Sequence, residues 1–254
     1  AREDVTYLED ALPLFEELGA ASLFRSPPLE ARLGLGMALQ GLAQKDMAYA
    51  AQLERALQEG KVAPDKVAAA EKAVPEARAR GTRELERAAE AYAWVLERQP
   101  DHILALYHQG LAHSSLGRSA EALDLLRAYI QVASRRRQAI LDRELKMTLD
   151  KEREDQLWRN IRTLEAREKE CRGLAANLLY KAGAYAGALA ELDALLKMDP
   201  NLVHEFFNRA RCHARLGNRG AAMEDFRRFV GGSLLPREDP RVREALEFLG
   251  EPGA

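Results

Sequence analysis

The sequence predicts an all-α protein, and three observations carry that prediction. Only nine Val, four Ile and four Thr occur in 254 residues, too few β-branched side chains to build a sheet. Leu, Ala, Glu and Arg dominate instead, residues that lose little freedom on entering a helix. Glycines also recur just past helical patterns, at Leu116-Gly117, Ala182-Gly183 and Leu216-Gly217. The last two glycines are 34 residues apart and the first two 66 apart, close to two such periods. A composition of 47% apolar and 31% charged residues excludes a disordered or collagen-like chain. No apolar run approaches the roughly 18 to 20 residues that cross a bilayer. With 38 basic and 40 acidic side chains, overall charge favours neither nucleic acid nor anionic lipid.

Taken in order, residues 5–18 read as an amphipathic opening helix stopped by Gly19, and Ser26-Pro27-Pro28 as a turn. Residues 29–43 and 46–59 form a helical pair ended by Gly60. The pattern over 64–80 contains Pro75, whose missing N–H predicts a break or kink. Residues 82–99 place Leu85, Ala88, Tyr92 and Val95 on one stripe, a helix for packing. Pro100 and Pro200 each stop a helix before a new one begins.

The repeat lies in the columns around the glycines. Five residues after each comes a small residue, Ala122, Ala188 or Ala222, and four beyond that a larger one, Leu126, Leu192 or Phe226. Seven residues before each glycine stands Gly110, Ala176 or Ala210. A small residue in the first helix lets the second approach closely, and residues four apart on the second share its inner face. Glycine supplies the backbone conformation that ends the first helix. At the far end Asp239-Pro240 opens a last helix with Val242, Leu246 and Leu249 inward, a cap for the final repeat.

These columns resemble the tetratricopeptide repeat, a helix–turn–helix of about 34 residues, best over 103–136, 169–202 and 203–236. The sequence departs from the family pattern where Leu106, Arg172 and Phe206 replace a favoured Trp, and where His113, Leu179 and His213 replace a favoured Tyr. The resemblance implies a right-handed superhelical solenoid of antiparallel helix pairs, about five to six in number. Degenerate pairs are expected over 1–100, a repeat over 101–136, a charged insert or degenerate repeat over 137–168, two repeats over 169–236, and a capping helix and tail over 237–254.

Residues 134–170 are the irregular piece. They hold no glycine or proline, and charge alternates from Arg135-Arg136-Arg137 through Lys151-Glu152-Arg153-Glu154-Asp155 to Arg167-Glu168-Lys169-Glu170. Leu141, Leu145 and Leu149 form one apolar stripe, and Leu157, Ile161 and Leu164 another. A helical hairpin fits this pattern, and so does a degenerate repeat turning at Asp150. The stripe is too short for a coiled coil. The three arginines read as a solvated helix start rather than a phosphate contact.

Nothing in the sequence marks an active site. His102, His108 and His204 lack zinc-ligand spacing, and His113 with His213 occupy equivalent packing places in two repeats. Cys171 and Cys212 lack C-x-x-C partners, so no metal and no disulfide framework is expected. Leu33-Gly34-Leu35-Gly36 has no strand before it, so close helix packing accounts for it better than a phosphate loop does. No cofactor is expected, and an enzyme is not the reading.

What remains is surface. In such a solenoid the first helix of each pair lines the concave face, and the family resemblance implies that this face binds a peptide or partner protein. The positions expected there are Tyr107, Leu111 and Ser114, then Asn177, Tyr180 and Lys181, then Phe207, Asn208, Arg211 and Arg215. Arg211 and Arg215 share one helix face, and with Lys181 and Asn177 they can hold a carboxylate. Some family members clamp a C-terminal carboxylate with Lys and Asn. Asn177 and Asn208 fall at clamp places, but Gly173 stands where the first lysine belongs, so that clamp is not expected. The alternative function is structural, with 134–170 mediating self-association or assembly through Leu157 and Ile161. Two cysteines suit a reducing compartment, and residues 1–25 lack the form of an export signal. The cytoplasm is therefore the favoured location, with a removed export leader as the alternative.

Overall fold

The structure, a computed structural model, describes Pro13, residues 29–147 and residues 150–250. The opening helix and turn expected before residue 29 lie outside these, Pro13 apart. Among the described residues the regular elements are helices, and none is long and apolar enough to cross a membrane. The chain divides into two compact units, Ala1–Ala128 and Tyr129–Ala254.

In the first unit, α1 (Leu29–Gln58) packs along α2 (Val67–Arg98), and α3 (Ile103–Ser115) packs on α2. The expected pair over 29–59 is one continuous helix. Gln44 and Lys45 are good helix formers, and buried residues recur on either side of them at Leu39, Ala43 and Ala50. The break expected at Pro75 does not occur either, since α2 continues through it. Pro75 faces solvent, where water can satisfy the Glu71 carbonyl that the ring leaves unbonded. Val74 and Ala77 beside it are buried against Ala50.

Leu35, Leu39, Ala88, Tyr92 and Val95 form the main core of this unit. Of the two glycines in 33–36, Gly36 packs closely. A Cβ there would lie 2.5 Å from Tyr92 Cε1, so the aromatic ring occupies the place of a side chain. Tyr92 is fully buried, and its hydroxyl donates to Gln40 Oε1 at 2.8 Å. The close approach expected in the repeat is present at Gly110, where an added Cβ would stand 3.0 Å from Leu126.

The helix α4 (Ser119–Ala139) contributes to both units. In the second unit it passes into one π-helical turn, Ile140–Glu144, and the chain returns as α5 (Lys151–Lys181). Asp150 caps α5 by accepting from the Arg153 N–H at 2.8 Å. Residues 134–170 are thus a helical hairpin made by lengthening two helices. Its core is Ile140, Leu157 and Ile161. Leu157 and Ile161 are therefore interior residues at 1% and 3% exposure, which corrects the expectation that they offer an assembly surface. Arg135–Arg137 lie near the end of α4, not at a helix start, where positive charge suits the helix dipole.

Two further pairs follow: α5 with α6 (Tyr185–Met198), and α7 (Val203–Arg215) with α8 (Arg219–Gly232). The repeat turns at Gly117, Gly183 and Gly217 have φ of 74°, 76° and 78°, the left-handed region where glycine carries no Cβ penalty. Ala122, Ala188, Ala222, Leu126, Leu192 and Phe226 are all buried, as their columns predict. Asp239 and Pro240 open α9 (Pro240–Leu249), whose Val242, Ala245 and Leu246 cover Phe226 and Phe229.

Candidate functional site

The second unit carries a groove of ≈ 610 Å³ between α5, α6 and α7. Its volume is that of an ordinary ligand cleft. Leu174, Ala176, Leu192, Leu195, Leu202 and Cys212 make an apolar floor. They come from successive helices because each buries one stripe and leaves the next face open. Asn177, Tyr180, Asn208 and Arg211 stand around it. Asn177 is exposed and makes no hydrogen bond among the described residues. Asn208 Nδ2 donates to Glu205 Oε2 at 2.9 Å.

The charges around the groove differ in how far they are engaged. Lys169 Nζ bonds Asp199 Oδ2 at 2.9 Å, and this contact, helped by the Asn201 N–H, holds the Asp199 carboxyl below its usual range. Arg211 lies 4.7 Å from the centre of the Tyr180 ring, and its Nε reaches Glu244 Oε1 of α9 at 3.2 Å. Arg215 contacts the Tyr180 hydroxyl, which raises its pKa, and sits 5.9 Å over the Tyr185 ring. Cys212 is buried, and burial pushes its thiol up to about 11; Cys171 is pushed to about 12 by burial and nearby Glu170 and Glu168. Both are therefore poor nucleophiles at neutral pH.

Of the residues expected on the binding face, Asn177, Tyr180, Asn208 and Arg211 meet at this groove. Lys181 and Arg215 are exposed at the ends of α5 and α7. Phe207 is instead a core residue at 4% exposure, its ring 5.0 Å from that of Phe229. Tyr107 is buried at 8% in the first unit, edge-on to His108, with Leu111 and Ser114 half-buried on the same helix. The helix-face argument placed these side chains by angle alone. Aromatic bulk drew Tyr107 and Phe207 inward.

Sequence reasoning missed two buried acids. Glu168, 1% exposed, accepts from Arg137 Nη1 at 2.9 Å and Arg172 Nη2 at 2.8 Å. Arg172 also reaches Glu191 at 2.9 Å, so an ionic network stands where the family favours Trp. Asp225, 3% exposed, takes a two-pronged contact from Arg209 at 2.7 and 2.8 Å. The spacing of Glu168 and Arg172, one helical turn, was the available signal; the other partners lie 16 to 31 residues away. His113 and His213 each bury Nδ1 without a hydrogen-bond partner. Burial, with Arg118 nearby, lowers the His113 pKa. Among the described residues no three His, Cys, Asp or Glu side chains cluster as a metal site requires.

The tetratricopeptide repeat family model matches residues 78–138 and 174–240, about half of the chain. Solved structures that match the chain include YrrB, a TPR protein with an unusual peptide-binding site. It is 19% identical over 65% of this chain and 84% of that one, with a TM-score of 0.31. The TPR2AB-domain:pHSP90 complex of yeast Sti1 is 15% identical over 83% of this chain and 98% of that one, with a TM-score of 0.30. No curated protein sequence matches the chain. With paired helices, and left-handed glycine turns at Gly117, Gly183 and Gly217 inside the two matched segments, the chain belongs to the tetratricopeptide-repeat family.

Proposed function

We propose that this chain is a non-enzymatic adaptor that binds an extended segment of a partner protein in the groove of its second unit. The family membership supports a protein-interaction role in general. The observation that carries the specific reading is the rim of Asn177 and Asn208 above an apolar floor. An extended backbone presents N–H and C=O groups that need partners, and an Asn amide offers both a donor and an acceptor. Apolar side chains of the same segment would enter the floor at Leu174, Leu195 and Leu202 and leave water.

Asn177→Ala with Asn208→Ala tests this reading more cleanly than reversing Arg211. A glutamate at 211 would face Glu244 and disturb α9, whereas Asn177 and Asn208 are exposed. Removing two hydrogen bonds of about 1 kcal/mol each predicts a roughly tenfold or greater loss of affinity. Affinity capture from native cell lysate, with partners identified by mass spectrometry, should lose its prominent partner with the double variant. A partner retained in full by the variant would move recognition elsewhere.

A further inference from the structure

The hairpin buries Leu157 and Ile161, and the flank of α5 beside them stays open. Trp158 stands there at 40% exposure, its indole N–H reaching Glu154 Oε1 at 3.4 Å. The residues seven before and seven after it are Lys151 and Glu165, and those four before and four after are Glu154 and Arg162. Steps of four and seven residues return to nearly the same side of a helix, so all five form one stripe with Trp158 at its centre. Asp155 lies at the edge of that stripe. Among the described residues Lys151, Asp155 and Arg162 form no ion pair, although Asp155 is one turn from Lys151 and Glu165 one turn from Arg162. Glu165 is half-exposed and meets Arg137 only at 3.9 Å. An exposed tryptophan alone needs no explanation. Charges of opposite sign at equal distances on either side of it, however, make the stripe complementary to itself.

We propose that this stripe is the seam on which a second copy of the chain docks, α5 against α5 in antiparallel. A two-fold axis through Trp158 brings each residue level with the one equally far on its other side. Lys151 then meets Glu165 of the second copy, and Arg162 meets Glu154 with Asp155 beside it, so each pair joins opposite charges. A parallel arrangement would set Lys151 on Lys151 and Arg162 on Arg162, like charges that repel. The two tryptophans meet at the axis and leave water together; Trp and Arg are the side chains that most often anchor interfaces. The exposed ion pairs fix direction and register more than they add affinity. Four helical turns make a small interface, so the dimer is weak, with a dissociation constant of about 10–100 µM. None of these residues lines the groove, so each copy keeps its own and the dimer offers two to a partner.

Sedimentation velocity of the full chain at concentrations between about 5 and 300 µM tests this. The unaltered chain should move from 28.3 kDa toward twice that mass, and less readily as salt screens the pairs. Arg162→Glu, and separately Glu154→Arg with Asp155→Arg, should each stay monomeric, because each sets like charges across the axis. An equimolar mixture of these two variants should dimerise again, since the pairs between them are opposite. All three positions are exposed and the new residues are good helix formers, so α5 is kept. Trp158→Ala should weaken the dimer about tenfold or more, and Asn177→Ala with Asn208→Ala should leave it unchanged. An unaltered chain that stays monomeric at every concentration, a charge variant that dimerises alone, or a mixture that stays monomeric would overturn the proposal. So would a dimer indifferent to Trp158→Ala or lost with the asparagines.

Discussion

At the scale of single residues, close packing sets the constraints. Gly36 faces a tyrosine ring fixed by its hydrogen bond to Gln40 and by stacking on His108 at 5.7 Å. The ring cannot yield to a methyl group without losing both. Gly36→Ala should therefore destabilise the first unit by about 1–3 kcal/mol, even though alanine is the better helix former. Urea unfolding followed by tyrosine and tryptophan fluorescence would show it, and an unchanged midpoint would mean that Tyr92 moves freely. The sequence allowed the inference that Gly36 serves packing, because no strand preceded it. It did not identify the facing ring, since Tyr92 is 56 residues away and any of several apolar residues on that helix fitted the pattern.

At the scale of elements, helix starts and stops were well legible, and helix continuity was not. Turn glycines, Pro100, Pro200 and the Asp239-Pro240 start all act through immediate neighbours. Pro75 was read by the same local logic, and there it failed. Its cost is a lost hydrogen bond on a solvent-facing side, and the burial of Val74 and Ala77 on the inward side offsets it. Pro75→Ala restores an N–H to the Glu71 carbonyl while freeing the unfolded chain somewhat. The expected net gain is about 1 kcal/mol, seen as a higher urea midpoint; a lower one would show that the proline ring itself packs usefully. The hairpin over 134–170 illustrates the same division. Its two apolar stripes were visible, but only the closure on Ile140 shows Leu157 and Ile161 to be interior.

At the scale of the whole molecule, the last helix completes the second unit. Its Val242, Ala245 and Leu246 lie on Phe226 and Phe229, and Phe248 meets Phe226 at 5.0 Å. Each large apolar side chain so covered contributes about 1.5–3 kcal/mol. Deleting residues 237–254 should therefore expose that face and lower hydrogen-exchange protection in α7 and α8 by tenfold or more. Protection in α1 and α2, which bury other cores, should be unchanged. Full protection of α7 and α8 in the truncated chain would show that the pair is stable without its cap. The same helix brings Glu244 to Arg211, so it also takes part in the electrostatics of the groove.

By itself the sequence determined the all-α class, the period, the turns and the small-residue contacts, because each depends on residues within a few positions along the chain. Within single helices, spacing also put Asn177 with Tyr180, and Asn208 with Arg211, on shared faces. Tertiary structure decided that 29–58 and 67–98 are single helices, that Tyr107 and Phe207 turn inward, and that Glu168 and Asp225 are buried with arginine partners. It also decided which cations of the groove are already paired. These outcomes depend on what packs against each face. Burial and long-range ion pairing join residues that the local pattern leaves independent.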